Sequence, residues 1–167
     1  EEKAKAFAQK QKLDETRTSD FIVKSRGNYA DIMQFLSHAV EKGQGTRALE
    51  LLGTLAEKDL RDTPCSILED HLYGTDTTAD IQEVLAPRIA SEMLTPYRSY
   101  LQKAFPTELA SQIKADPQVL VKWCKDSLTI RNDLSTLFTT TSPEGVWRSR
   151  VTDSQSRDIF FVAAARS

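Results

Sequence analysis

The chain has 167 residues, of which 40% are hydrophobic and 28% charged, and its formal net charge is −2. This composition is ordinary for a folded domain with its own core. The near-neutral charge provides no basic excess for nucleic acid and no polybasic run for an anionic membrane, so we expect neither partner. No stretch approaches the roughly 20 apolar residues that a membrane-spanning helix needs.

Cysteines and histidines are few: Cys65, Cys124, His38 and His71. The cysteines form no CxxC pair, and their spacing does not decide whether they form a disulfide. The four residues cannot be assembled into a Cys/His metal cluster of the usual spacing. We therefore expect half-buried thiols, no metal site and no cofactor.

Helical periodicity governs the first part of the chain. The N-terminal stretch fits two short helices joined near "LDET". After Asn28, a plausible N-cap, apolar residues recur on one helix face, and another face follows "EKGQG". The first face consists of Tyr29, Ile32, Met33, Leu36 and Val40, and the second of Ala48, Leu51, Leu52 and Leu55.

Four of the six prolines directly follow a residue that is a good helix N-cap. A cap side chain accepts a hydrogen bond from a free backbone N–H, and proline at the first helical position loses no hydrogen bond. These dipeptides predict four helix starts, at Thr63-Pro64, Thr95-Pro96, Asp116-Pro117 and Ser142-Pro143.

Strand patterns are scarce, and the best candidate is the short segment 127–134. The segment "LFTTTSPEG", residues 137–145, is typical of a loop. We therefore predict an all-α fold, an irregular bundle of about eight short helices.

Residues 86–102, "APRIASEMLTPYRSYLQ", interleave arginines with tyrosines. If the segment is helical, Arg88 and Glu92 stand one turn apart and can form an ion pair. One interpretation is a recognition surface for a peptide or sugar, carried by Arg88, Tyr97 and Arg98. The interpretation that we favour is a salt-bridged helix that packs its tyrosines inward.

Two further features have a functional and a structural interpretation. Trp147, like Trp123, could stack on a ligand, but buried tryptophans more often pack and donate one hydrogen bond. Glu69, Asp70 and His71 are adjacent and point to different faces of a helix, so they do not converge on one ion. For these three we expect a solvated helix face.

The last segment carries the most specific pattern. Asp153 can cap a final helix, which puts Ser156 in the first turn. A nucleophile at a helix N-terminus benefits from the dipole and from free N–H groups that can bind an oxyanion. A serine also needs an adjacent base, and neither histidine lies in a motif that pairs with Ser156.

The stretch "SRDIFFVAAARS" resembles the core helix of the transglutaminase-like superfamily, which has a catalytic site of the cysteine-protease type. Arg157 and Asp158 match the residues after the family's cysteine, residues 161–165 match its apolar run, and Arg166 matches its closing arginine. The resemblance places Ser156 at the position of the nucleophilic cysteine.

Longer stretches, such as "EKDLRDTPCSILEDHL" and "LVKWCKDSLTI", are similar to the helical region of large transglutaminase-like proteins of Bacteroides-type bacteria. The resemblance implies a helical N-terminal domain at 1–141 and the truncated start of a transglutaminase-like core at 142–167. It also implies a longer parent protein that is exported to the periplasm or cell surface. The charged start and apolar end of the chain fit such a parent.

Three functions are expected on these grounds. The first is a non-catalytic helical region that supports or shields the core and binds a peptide or partner, in a parent that is either active or a pseudoenzyme. The second is part of an active peptidase or hydrolase with Ser156 as nucleophile. The third is a stand-alone helical interaction module, which burial of Phe160 and Phe161 against this chain's own helices would favour.

Overall fold

The structure, a computed structural model, describes residues 1–133 and 139–167. Eleven α-helices and a single pair of two-residue strands occur within these described ranges. The all-α fold class is therefore confirmed, with somewhat more helices than the eight predicted. The contacts divide the chain into two compact units, Glu1–Pro87 and Arg88–Ser167.

The first unit contains six α-helices, a 3-10 turn after α2 and a π-helical turn near its end. The helices are α1 (Glu2–Gln11), α2 (Glu15–Ser25), α3 (Tyr29–Glu41), α4 (Gly45–Gly53), α5 (Glu57–Asp62) and α6 (Cys65–Tyr73); the turns are Arg26–Asn28 and Ile81–Leu85. Their inward faces form one mostly aliphatic core around Phe35, Leu36, Leu51 and Leu68, all fully buried.

Helix α3 begins after Asn28, as the periodicity predicted. Asn28 does not cap it, because the side-chain amide donates to the carbonyl oxygens of Leu60 at 3.0 Å and Thr63 at 2.8 Å. The prediction that Tyr29 belongs to the inward apolar face is wrong, since this residue is 55% exposed. The amide of Asn28 thus fastens the start of α3 to the end of α5.

The second unit contains five α-helices and the strand pair. They are α7 (Tyr97–Ala104), α8 (Thr107–Ala115), α9 (Gln118–Ser127), β1 (Thr129–Ile130), α10 (Pro143–Ser149), β2 (Val151–Thr152) and α11 (Ser154–Arg166). Strands β1 and β2 pair in parallel. The core is built around Leu101, Leu120, Val146 and Phe160.

The segment predicted as a strand, 127–134, contains β1, but its last residue, Leu134, lies outside the described residues. The start of the loop predicted at 137–145 also lies outside them, and the described part runs into α10. In the pair, Thr129 lies opposite Val151 and Ile130 opposite Thr152, and the Arg131 amide donates to the Thr152 carbonyl oxygen at 2.8 Å.

All four proline dipeptides mark helix starts, which confirms those predictions within one residue. The predicted capping occurs at Ser142, whose hydroxyl accepts from the amide of Gly145 at 3.1 Å, and at Asp116, whose carboxylate accepts from the amide of Gln118 at 2.9 Å. At α6 the cap comes from another helix, because the Asp31 carboxylate accepts from the Cys65 amide at 2.9 Å. A tertiary contact therefore replaces the predicted local cap.

The helix expected across residues 86–102 forms only in its second part, since helix begins at Tyr97 and residues 86–96 are a loop. Pro87 and Pro96 bracket this segment, and each lacks the backbone N–H that a helix would use. Glu92 is buried, and its carboxylate accepts from the amides of Ile89 and Ala90, each at 2.7 Å. Those bonds stabilise a loop in place of a helix with an Arg88–Glu92 ion pair.

The predicted boundary at residue 141 falls inside the second unit and stays a prediction about the parent protein. Among the described residues, no helix has the length and apolar character needed to cross a membrane.

Candidate functional site

Ser156 lies in the first turn of α11, and Asp153 is the N-cap of that helix, as predicted. The Asp153 carboxylate accepts hydrogen bonds from the amide of Ser156 at 2.8 Å and from its hydroxyl at 2.7 Å. The hydroxyl oxygen also accepts from the amide of Thr141 at 2.9 Å. Ser156 therefore joins the helix start to the segment before α10.

This environment differs from that of an activated nucleophile. Ser156 is fully buried, and its hydroxyl is already both donor and acceptor. Burial alone would raise the pKa of Asp153, but hydrogen bonds from Ser156, together with weaker ones from the backbone amides of Asp153 and Gln155, hold that pKa below its ordinary value. Both histidines belong to the first unit, so residues 88–167 contain none to act as base. The catalytic role of Ser156 stays a prediction.

The residues predicted to form a recognition surface are mostly interior. Arg98 is fully buried and Tyr97 nearly so, and burial raises the pKa of the tyrosine. The Arg98 Nη1 donates to the carbonyl oxygen of Arg166 at 2.7 Å. Arg88 donates through Nη1 to the Glu92 carbonyl oxygen and accepts at its own carbonyl from Arg166 at 3.2 Å. These contacts join the loop 88–96 and α7 to the end of α11, and they favour the packing interpretation.

Trp147 belongs to an aromatic cluster with Trp123, Phe105 and Phe160. The two indole rings stack with centroids 5.2 Å apart and an interplanar angle of 9°. Phe105 lies 4.6 Å from Trp147, and the Arg150 guanidinium lies over the same indole at 4.1 Å. Because neighbouring side chains already occupy these stacking positions, the packing interpretation fits Trp147 better than ligand stacking.

One groove of the second unit is a candidate binding site. It has a volume of about 440 Å³ and lies between α9, β1 and α11. Its apolar lining consists of Val121, Cys124, Leu128, Ile130 and Phe161, and its charged residues are Lys125, Arg157 and Asp158. The Arg157 guanidinium pairs with the Asp158 carboxylate at 2.6 Å. Burial raises the pKa of the Cys124 thiol to about 11, so the groove offers no thiolate at neutral pH.

A second group of chemically versatile side chains lies in the first unit. His38 of α3 meets Cys65 and Glu69 of α6, with one potential ligand atom from each within 4.8 Å of the others. The His38 Nδ1 lies 2.6 Å from the Glu69 carboxylate. Burial and the negative charge of Glu69 raise the pKa of the Cys65 thiol to about 12. Both Cys65 and Cys124 are free thiols.

Sequence reasoning missed this group because His38 lies 31 residues before Glu69. The spacing of Cys65 and Glu69, four residues apart, was the one available signal. The expectation of a solvated face at residues 69–71 is wrong for His71, which is fully buried. That side chain points into the unit because α6 packs against both α3 and α4.

Comparisons with known proteins find no relative of this chain. No protein-family model matches the chain, and neither the curated proteins nor the solved structures provide a match. The resemblance to the transglutaminase-like superfamily consequently stays a prediction that rests on the sequence.

Proposed function

We propose that this chain is a non-catalytic helical binding module that holds a short peptide segment of a protein partner. The observation that carries the proposal is the groove between α9, β1 and α11. Its occupant would be a segment with one large apolar side chain and an acidic residue beside it.

Size and lining support an apolar anchor. A volume of about 440 Å³ lies within the range of roughly 300–1,000 Å³ that is usual for ligand pockets. Ile130 is 37% exposed at one edge, and Phe161 is half-buried within the groove. Covering these side chains with an apolar group would remove hydrocarbon surface from water, which favours binding.

The charge at the rim of the groove supports an acidic residue beside the apolar anchor of the bound segment. Arg157 and Asp158 neutralise each other, so the rim keeps the positive charge of Lys125. No ion pair among the described residues uses this lysine, which is exposed. A carboxylate of the bound segment can therefore pair with Lys125 and fix the orientation of the segment, although such exposed pairs contribute less than about 1 kcal/mol.

A binding role fits the described chemistry better than catalysis does. The Ser156 hydroxyl is buried and engaged, and the Cys124 thiol is protonated at neutral pH. Phe160 is fully buried and Phe161 half-buried, and both pack within the second unit. This was the burial pattern expected of a stand-alone interaction module.

The resemblance to transglutaminase-like proteins suggests which protein the bound segment would come from. If the chain belongs to a transglutaminase-like protein, the bound segment would come from the remainder of that parent or from its substrate. The module would then support or shield the core, in the periplasm or at the cell surface. This assignment rests on the sequence pattern alone, whereas the binding proposal rests on the groove.

The direct test is selection of a displayed random peptide library on the intact chain. We expect enriched sequences that combine a large apolar residue with an adjacent acidic residue. Synthetic versions should then bind Ile130→Asp at least about tenfold more weakly, because the charge would stay desolvated beneath the peptide. The matched control is Val151→Asp, since Val151 is 38% exposed in the paired strand but does not line the groove.

Charge reversal at Lys125 separates the two parts of the proposal. Lys125→Glu should weaken the binding of acidic peptides. It should leave unchanged the binding of versions in which the acidic residue is replaced by its amide. Equal loss of affinity with Ile130→Asp and Val151→Asp, or no enriched motif, would contradict the proposal. Hydrolysis of the selected peptides by the wild type, but not by Ser156→Ala, would instead support the catalytic alternative.

A further inference from the structure

The geometry points to a divalent metal site of the zinc type, formed by His38, Cys65 and Glu69. These residues lie in the first unit and are separate from the peptide groove. The site goes beyond the proposed binding function, and it runs against the expectation, drawn from sequence spacing, of no metal site.

The ligand types select the class of ion. Thiolate and imidazole are ligands that suit Zn²⁺ and related transition ions, and a carboxylate completes many zinc sites. Mg²⁺ and Ca²⁺ prefer sites built from oxygen atoms. Three protein ligands leave the fourth tetrahedral position for water, as in zinc sites that bind an exchangeable ligand.

The backbone already holds the three groups in a suitable arrangement. Cys65 and Glu69 are four residues apart on α6, so their side chains lie on the same helix face. His38 approaches from α3, which packs against α6. The potential ligand atoms lie within 4.8 Å of one another. Bonds of about 2.0–2.3 Å to a tetrahedral ion place ligand atoms roughly 3.3–3.8 Å apart, so side-chain adjustments of an ångström or so would close the site.

A hydrogen bond also fixes the first residue of α6, Cys65, to α3. The Asp31 carboxylate accepts from the backbone amide of Cys65 at 2.9 Å. This bond fixes the first residue of α6 to α3, the same helix that carries His38. It holds the thiol in position, and Asp31 adds negative charge near the site.

Charge and proton balance support a dication. Binding would break the S–H bond of Cys65 and form a sulfur–metal bond, with the proton passing to solvent. The neutral imidazole would carry its proton on Nε2 and give the Nδ1 lone pair to the metal. Thiolate, carboxylate and dication then sum to zero charge, which suits a partly buried site. Without the ion, the thiol stays protonated because burial and Glu69 raise its pKa to about 12.

An ion can reach the site from solvent. The His38 side chain is 41% exposed and that of Glu69 is 28% exposed, whereas Cys65 is buried beneath them. The bond between His38 and Glu69, at 2.6 Å, spans the outer side of the group. The metal would enter between these two atoms and displace the hydrogen that joins them; that proton leaves Nδ1 for solvent while Nε2 takes up a proton from solvent, so the imidazole stays neutral.

The test is titration of the purified chain, treated with chelator and reducing agent, with Zn²⁺ and with Co²⁺. We expect one Zn²⁺ per chain, a rise in Tm, and no such rise with Mg²⁺. The Co²⁺ complex should show a thiolate-to-cobalt charge-transfer band and visible bands of tetrahedral intensity. Ion release on adding a chelator should restore the original Tm.

Variants assign the ligands. Cys65→Ser and His38→Gln should each lower zinc affinity by more than about tenfold, and Cys65→Ser should abolish the charge-transfer band. The matched control is Cys124→Ser, because Cys124 is the other buried free thiol and belongs to the second unit. If Cys65→Ser misfolds, His38→Gln still decides, since His38 is half-exposed and glutamine can donate to Glu69.

Two results would overturn the proposal. One is zinc affinity in His38→Gln and Cys65→Ser equal to that of the wild type. The other is a cobalt complex of the wild type without a charge-transfer band. Neither result affects the groove of the second unit, whose test uses peptides and no metal.

Discussion

The two compact units have cores of different composition. The first has an aliphatic core of leucines, isoleucine and Phe35, and its buried serines bond within their own helix: Ser25 donates to the carbonyl oxygen of Ile22 at 2.7 Å. The second unit stacks aromatic rings and buries long charged side chains that reach far along the chain. Its Arg98 donates to Arg166, 68 residues away.

This difference decides what a sequence reveals. Aliphatic residues at helical spacing indicate their own inward face, so much of the first core can be predicted from periodicity. A buried arginine or glutamate has the same sequence signature as an exposed one, and its role depends on a partner that is distant in sequence. Predictions were accordingly least accurate at residues 86–98.

The largest expected effect tests the aliphatic core. Phe35→Ala should lower the free energy of unfolding by about 3–5 kcal/mol, because it removes a fully buried ring from close-packed surroundings. Urea unfolding followed by circular dichroism measures it. Tyr29→Ala, on the same helix but exposed, should change stability by less than about 0.5 kcal/mol. Similar costs at both positions would contradict the proposed packing of α3.

The next effect tests the polar anchor of the second unit. Arg98→Met keeps an apolar stem but removes the donor to the Arg166 carbonyl oxygen, and we expect a loss of about 1–3 kcal/mol. Both tryptophans lie in this unit, so their fluorescence reports its unfolding. The exposed Arg148 provides the control variant Arg148→Met, which should cost less than about 1 kcal/mol.

An opposite result would revive the recognition hypothesis. If Arg98→Met left unfolding unchanged but abolished peptide binding, Arg98 would be a binding residue, and the contrast between the two units would fail at its main example.

The smallest effect concerns pH and the cap of α11. Burial raises the pKa of Asp153, but hydrogen bonds from Ser156 and from the backbone amides of Asp153 and Gln155 together hold it below its ordinary value, so this stabilisation is complete above the unfolded pKa of about 3.9. It is lost as pH falls through the lower, folded pKa. Asp153→Ala should therefore cost about 1 kcal/mol at neutral pH and progressively less below about pH 4.

The matched variant is Asp153→Asn, which keeps a capping oxygen but cannot titrate. Urea midpoints measured from neutral to acidic pH should show less stability lost at low pH for Asp153→Asn than for the wild type. Identical pH profiles for these two proteins would show that the Asp153 carboxylate does not contribute to the acid sensitivity of the second unit.

Several parts of the candidate sites were predictable, and others were not. The cap at Asp153 and the helix position of Ser156 follow from local spacing and are confirmed. The second partner of that serine, Thr141, could not be predicted, because its amide reaches the hydroxyl from another segment. The groove of the second unit has no sequence pattern of its own, since its wall combines residues of α9, β1 and α11.

The sequence by itself determined the helical class, the four proline-marked helix starts and the inward faces of the aliphatic helices. These depend on interactions between residues at most a few turns apart, which periodicity and capping residues encode directly. Only the tertiary structure decided that Glu92 closes a loop, that Arg98 is interior, and that His38 meets Cys65 and Glu69. Such contacts join residues far apart in the chain, and their energies depend on burial and geometry that no local pattern contains.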